Sequence, residues 1–212
     1  DPLPEGQTVG GHEMAKVMGQ SEMGAESSGY VPEFEYDSTL DSSLLGISAF
    51  GLLPVHDERV RKTMDAVSDG LWVRTPVGGM ARYEGDTYYR MCEDEGVPGN
   101  PWFICTLWLA DYHIARALSV AALTEALPIL EWVADRALPS GVLAEQVHPH
   151  TNAPLSVSPL TWSHATVVAT VQNYLRRYGE MVSCPNCGQT LSDEAALRGT
   201  SRRGEPGRFM SA

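Results

Sequence analysis

Apolar residues recur every three to four positions in six segments of the chain. This spacing places them on one face of a helix, and it predicts helices over residues 4–22, 40–50, 58–70, 101–118, 119–138 and 160–178. No segment has the long alternation of apolar and polar residues that marks a half-buried strand. The pattern therefore predicts an all-α protein.

Signals at the helix ends support these limits. Asp57 is expected to cap the third helix, and Pro101 takes a first-turn position in the fourth. Pro128 is expected to kink the fifth helix, Ser158–Pro159 to open the last one, and Gly179 to end it. The fourth helix is apolar nearly all round, so we expect it to be buried on most faces.

Two long tracts without a helical pattern separate these helices, at residues 75–99 and 139–159. The first is rich in glycine and aromatic residues. The second contains proline, histidine and a single carboxylate, Glu145. Loops of this length inside a compact domain are usually functional or disordered, and the aromatic, proline and histidine content argues against disorder. We therefore look for site residues in these two tracts.

Composition and charge narrow the class of protein. The 212 residues carry a formal net charge of −12, which disfavours nucleic acid and anionic membranes as partners. No apolar run approaches the ~20 residues of a membrane span. The four cysteines, at positions 92, 105, 184 and 187, do not form the dense framework of a secreted disulfide scaffold. We expect a cytoplasmic protein.

Motifs in both tracts carry a resemblance to a known family. Ala144-Glu145-Gln146 followed by Leu-Thr-Trp-Ser-His-Ala at 160–165 resembles the catalytic signature of glycoside hydrolase family 15, which contains glucoamylases, glucodextranases and some trehalases. The stretches RYEGDTYY at 82–89 and GNPWFICT at 99–106 are similar to sugar-binding segments of that family. The resemblance covers roughly residues 1–179.

The resemblance implies an (α/α)6 toroid, in which paired helices form two concentric rings and loops at one end build the site. That barrel has twelve helices, and the pattern here predicts six, so the chain resembles the C-terminal half of the catalytic domain. Residues 180–212 are expected to form a separate, flexible tail with one CxxC knuckle, Cys184 and Cys187. A tetrahedral zinc site needs four ligands, so a metal-free tail is favoured over zinc binding.

The same resemblance assigns Glu145 as the general base of inverting hydrolysis. The general acid of the family lies in a Trp-x-Glu type of segment that has no counterpart in this chain. Inversion needs two carboxyl groups roughly 6.5–9.5 Å apart, so we expect the 212-residue chain to be inactive by itself. We also expect it to be poorly stable, because six helices of a twelve-helix ring leave apolar faces without partners. The alternative is that Glu145 is an ordinary surface glutamate.

Five further residues are assigned to sugar binding by their place in the motifs. Arg82 offers a rigid donor fork for hydroxyl groups, but it could instead form a surface salt bridge to Glu84 or Asp86. Trp102 offers a ring face for a sugar or packs in the core. The complete set of predicted substrate-binding residues is Arg82, Tyr83, Glu84, Trp102 and Trp162. His148 and His150 are expected to be loop contacts rather than metal ligands.

The function predicted from the resemblance is an exo-acting, inverting α-glucosidase of the glucoamylase type. Its partner would be an α-glucan oligosaccharide or polysaccharide, and we predict no cofactor. A trehalase or glucodextranase is the alternative within the family, because the motifs identify glucose better than linkage. A non-catalytic domain that binds a glycan or a protein is the alternative of another class.

Overall fold

Helices provide almost all of the regular structure. The computed structural model describes residues 37–90, 96–183 and 186–190, so the helix predicted at 4–22 lies outside the described residues. The helices are α1 (Gly46–Ala49), α2 (Glu58–Leu71), α3 (Phe103–Arg116), α4 (Val120–Leu123), α5 (Leu127–Arg136) and α6 (Thr161–Met181), with 3-10 turns at Ser42–Leu45 and Thr124–Ala126. The strands β1 (Gln146–Val147) and β2 (Pro154–Leu155) form one antiparallel hairpin. The all-α prediction is confirmed.

The first helices show how local signals succeed and fail. Asp57 caps α2, since its Oδ1 accepts a hydrogen bond from the Arg59 backbone N–H at 2.9 Å, as predicted. The helix predicted at 40–50 is shorter, because Asp41 caps a 3-10 turn that leads into α1. Phe50 lies at helical spacing from Ile47 but is 91% exposed.

Helix α3 is the centre of the described fold. It packs against α6, α5 and both 3-10 turns, and its buried residues lie on every face: Phe103, Ile104, Cys105, Thr106, Leu107, Leu109, Ala110, Tyr112 and Ile114. The prediction of a helix buried on most sides is confirmed. It begins at Phe103, two residues later than predicted, because Pro101 pairs with Ala81 and Trp102 is still extended.

The helix predicted at 119–138 is three pieces. Ser119 caps α4, with its Oγ accepting from the Ala122 N–H at 3.1 Å. A 3-10 turn then leads into α5, where Pro128 lies in the first turn. Proline lacks a backbone donor and is tolerated there. A new helix therefore begins where the sequence predicted a kink in a continuous one.

Helix α6 differs from the prediction at both ends. It is preceded by Leu160 rather than capped by Ser158, and it continues past Gly179 to Met181. Its buried face is made of small residues, which lets it pack closely beside α3: Ser163, Thr166, Thr170 and Gly179. Much of the apolar stripe instead faces outward, where Val168, Val171, Leu175 and Tyr178 are exposed.

The boundary predicted at residue 179 stays a prediction, because most of 180–212 lies outside the described residues. Within the described ranges, no helix is both long enough and apolar enough to cross a membrane.

Short bridges join the two long non-helical tracts edge to edge. Ala81 pairs with Pro101, and Trp102 pairs with Gln146 of β1. The Trp102 N–H donates to Met80 O at 2.8 Å, and the Val147 N–H donates to Pro101 O at 2.9 Å. These pairings bring the RYEGD, GNPW and AEQ segments into one narrow ladder.

A tight turn before this ladder requires glycine. Gly79 has φ +91°, and a Cβ there would lie 2.5 Å from the Trp132 ring and 2.9 Å from Pro101 Cβ. Trp132 in turn donates its Nε1–H to Val77 O at 2.7 Å. Close packing of α5 on the turn therefore fixes where the ladder begins.

A half-buried carboxylate, Asp111, links α3 to α6. It accepts hydrogen bonds from Thr170 Oγ1 at 3.0 Å and Asn173 Nδ2 at 3.1 Å. Burial raises the pKa of Asp111 above its ordinary value of 3.8, although both hydrogen bonds act in the opposite direction. The folded protein therefore keeps this proton to a higher pH than the unfolded chain does.

Replacing Asp111 with Asn should remove one contribution to stability that is lost as pH rises. Above pH 3.8 the unfolded chain loses the proton first, so the stability contributed by protonated Asp111 is lost as pH rises through the folded-state pKa. The free energy of unfolding of Asp111→Asn, relative to wild type, should thus increase over that interval. Urea unfolding of both proteins at several pH values measures it, and a constant difference would contradict the raised pKa.

Candidate active site

The predicted base, Glu145, is held by its backbone between two parts of the fold. Its N–H donates to Val157 O at 2.9 Å, and its carbonyl accepts from the N–H of Phe103, the first residue of α3, at 3.3 Å. Glu145 immediately precedes β1. The carboxylate is therefore carried by a rigid segment although the segment is irregular.

The Glu145 side chain is half-exposed, and Ser156 fixes one of its oxygens. The β1–β2 register pairs Gln146 with Leu155, which brings Ser156 beside Glu145. Ser156 Oγ donates a short hydrogen bond to Glu145 Oε2, and Ser156 adopts φ +61°. Within the described residues no hydrogen bond engages Oε1, so one carboxylate oxygen is anchored while the other is open. Sequence reasoning missed Ser156.

A buried amide pair joins the base segment to the GNPW segment. Gln146 is fully buried, and its Oε1 accepts from Asn100 Nδ2 at 2.8 Å. The same Asn100 nitrogen donates to Tyr89 O at 2.9 Å. Because buried polar groups are costly when unpaired, this pair fixes the spacing between the two segments.

Arg82 forms an ion pair with Asp86. Its Nη2 donates to Asp86 Oδ1 at 2.8 Å, and its Nε donates to Oδ2 at 3.0 Å. Desolvation opposes the charge of Arg82, but the hydrogen bonds and charge of Asp86 outweigh it and raise the pKa of Arg82. The salt bridge to Asp86 considered from sequence therefore forms, with its carboxylate buried, since Asp86 is only 2% exposed while the Arg82 side chain is 33% exposed.

Aromatic rings surround the Arg82 guanidinium. Its Cζ lies 4.5 Å from the ring centroid of Trp102, 4.8 Å from that of Tyr83 and 5.3 Å from that of Tyr88. Contacts of this kind favour a cation over each ring face. No hydrogen bond within the described residues engages Arg82 Nη1, which leaves one end of the fork for a ligand.

The remaining predicted sugar-binding residues occupy different environments. Trp102 is 3% exposed and packs in the hydrophobic core, as the alternative considered from sequence has it, and its ring also faces Arg82. Tyr83 is half-buried and Glu84 is exposed. Trp162 is 53% exposed, and its ring centroid lies 6.0 Å from that of Trp108. The backbone ladder thus joins the segments of Arg82, Trp102 and Glu145, while Trp162 begins α6.

A cavity of about 760 Å³ opens between α1, α3 and α6, and both Trp108 and Trp162 line it. Among the described residues that line it, neither Arg82 nor Glu145 appears. The cavity is therefore separate from the ladder that carries the candidate base.

The histidine and cysteine candidates do not form a metal cluster in the part of the chain that the structure describes. No group of three or more His, Cys, Asp or Glu residues there is arranged to hold an ion. His148 Nδ1 accepts from the backbone of His150 and Thr151, both at 3.2 Å. Cys187 is exposed and free, and Cys184 lies outside the described residues. The metal-free tail therefore stays a prediction.

Comparison with known sequences supports a single family. The family model for glycosyl hydrolases family 15 matches residues 17–172. An uncharacterized glycosyl hydrolase of Methanocaldococcus jannaschii is 35% identical over 140 residues, which is 61% of this chain and 21% of that protein. A trehalase of Mycolicibacterium smegmatis is 26% identical over 155 residues, 72% of this chain and 21% of the trehalase. An isomaltose glucohydrolase of Kribbella flavida is 31% identical over 148 residues, 64% of this chain and 34% of that protein.

Solved structures agree with the fold. A bacterial glucoamylase complexed with acarbose has a TM-score of 0.57 and 25% identity, and the match covers 77% of this chain and 23% of that one. A wild-type glycosidase has a TM-score of 0.54 and 25% identity, with 76% of this chain and 42% of that chain covered. The chain spans about a fifth of the length of the archaeal hydrolase and the trehalase. The matched helices form part of an (α/α)6 toroid, and the chain belongs to glycosyl hydrolases family 15.

Proposed function

We propose that this chain supplies the general base and part of the sugar-binding site of an inverting, exo-acting α-glucosidase of the glucoamylase type. The observation that carries the proposal is the Glu145 carboxylate, half-exposed and anchored at one oxygen by Ser156. A general base must lie within hydrogen-bond reach of the proton that it removes. The open oxygen of Glu145 would accept that proton from the attacking water.

The Arg82 clamp would bind the sugar. Asp86 fixes Nε and Nη2 of the guanidinium, so little rotational freedom is lost when Nη1 donates to a hydroxyl group. The aromatic rings around Arg82 restrict it further. Tyr83, Glu84 and Trp162 are retained as contacts for the rest of the substrate, and Trp102 as the support beneath Arg82.

The general acid would come from a region beyond these 212 residues. Inverting hydrolysis needs a second carboxyl group on the opposite side of the bond, roughly 6.5–9.5 Å from the base. We call the chain joined to such a region the active enzyme. Without that acid the departing oxygen is not protonated, so the chain tested alone is expected to be inactive.

An oligosaccharide of α-linked glucose is the substrate we favour, and trehalose is the alternative. The similarity to a bacterial glucoamylase complexed with acarbose supports the first. The similarity to two mycobacterial trehalases supports the second. The similarity to an isomaltose glucohydrolase makes isomaltose a third substrate to compare.

Glu145→Gln should lower kcat of the active enzyme by about 10²–10⁴-fold, the usual contribution of general acid–base catalysis. Glutamine keeps an oxygen that can accept from Ser156 but cannot take the proton from water. The affinity for substrate should change much less. Steady-state kinetics on a maltooligosaccharide measure both quantities.

The matched control for this experiment is Glu131→Gln, the same substitution at an exposed position of α5. It should leave kcat unchanged. Wild-type turnover in Glu145→Gln would remove Glu145 from the role of base.

Offered maltooligosaccharide, trehalose and isomaltose separately, the active enzyme should have its highest kcat/KM on maltooligosaccharide. Discrimination between linkages reflects differences in transition-state binding, so kcat/KM is the quantity to compare. Release of glucose is the readout for all three substrates. A preference for trehalose would replace the glucoamylase proposal with the trehalase one.

A further inference from the structure

The segment that carries Glu145 takes its hydrogen-bond partners from the beginning of α6. Leu143 O accepts from the Leu160 N–H at 3.0 Å, and Ala144 O accepts from Ser163 Oγ at 2.8 Å. The Leu143 N–H donates to Nε2 of His164 at 3.0 Å. The last contact is made by a titratable side chain that the catalytic proposal does not use.

The direction of this hydrogen bond defines the state of His164. A ring nitrogen that accepts a hydrogen bond carries no hydrogen, so the ring proton of neutral His164 lies on Nδ1. A doubly protonated ring would turn an N–H toward the Leu143 N–H and could not accept. The contact with Leu143 therefore exists only with the neutral imidazole.

The Leu143 N–H has little access to another partner. Leu143 is 4% exposed and packs in a cluster with Phe103, Trp132 and Val147. A buried backbone donor that loses its acceptor is unfavourable, so the segment would shift toward another acceptor or toward solvent. Leu143 lies two residues before Glu145, so such a shift would reach the carboxylate.

We propose that His164 is a positioning residue for Glu145, acting through the Leu143 N–H, and this rests on the proposed role of Glu145 as base. His164 touches neither substrate nor water in this role. It supplies an acceptor at one fixed point, and that point sets the path of the chain into the base. The effect should appear in turnover and not in substrate affinity, because the Arg82 clamp belongs to other segments.

Two amide substitutions at this position separate the acceptor from the imidazole ring. The side-chain oxygen of His164→Gln can reach the place of Nε2, whereas the shorter side chain of His164→Asn reaches only the place of Nδ1. In the active enzyme, His164→Gln should keep kcat near the wild-type value. His164→Asn should lower kcat by about 10–10²-fold, because a displacement of ~1 Å can cost that much in rate. Its KM should stay close to that of His164→Gln, whereas its thermal midpoint should be lower, because the buried Leu143 N–H loses its acceptor.

The positioning role of His164 is tested by the kcat and KM of each variant on one maltooligosaccharide, together with its thermal midpoint. Wild-type kcat in His164→Asn would overturn the proposal, and so would an equal loss of kcat in both variants. If His164→Asn does not fold, the Gln variant decides: retained kcat supports the proposal and a loss of kcat in the folded protein contradicts it. Glu145→Gln, measured in the same experiment, distinguishes failure of the proposed base from failure of the positioning role. Wild-type turnover in Glu145→Gln would mean that Glu145 is not the base. Loss of turnover in Glu145→Gln together with wild-type turnover in His164→Asn would contradict only the positioning role.

Discussion

The candidate site depends on a narrow ladder of backbone hydrogen bonds between segments far apart in sequence. Met80 accepts from Trp102, Pro101 accepts from Val147, and Glu145 accepts from Phe103. Each segment is too short to be a stable strand alone, so its position is determined by the helices to which it is connected. Helix α3 begins in the middle of this ladder and is buried on nearly every face. Packing of one helix thereby fixes the segments that carry Arg82 and Glu145 together.

Charge is used sparingly inside this framework. Removing either partner of the Arg82–Asp86 pair would leave the charge of the other unpaired. Three aromatic rings lie around the arginine. Glu145 has the opposite environment, half-exposed with a serine on one oxygen. The two environments suit the proposed roles, in which Arg82 is an anchored cation that donates to a neutral sugar and Glu145 is an accessible carboxylate that accepts a proton.

Sequence reasoning predicted the parts of the structure that depend on local pattern. The Asp57 cap, the buried fourth helix and the loop position of Glu145 follow from spacing and residue type over a few turns. It did not predict Ser156, the burial of Asp86 or the contact between His164 and Leu143. Those features depend on chain reversals such as the β1–β2 hairpin. Such reversals bring together residues whose contact cannot be seen in the spacing of apolar residues along the sequence. The exposure of several apolar residues of α6 was also not predicted, because helical spacing identifies an apolar face but not what lies against it.

The configuration of the first-formed product is the most direct measurement of general-base catalysis by a carboxylate of this kind. Water activated by Glu145 would attack the face opposite the departing oxygen and invert the anomeric carbon. Proton NMR of the active enzyme acting on a maltooligosaccharide, recorded before mutarotation, should show β-glucose appearing first. Initial release of α-glucose would contradict inversion and with it the role of Glu145 as a base that activates water.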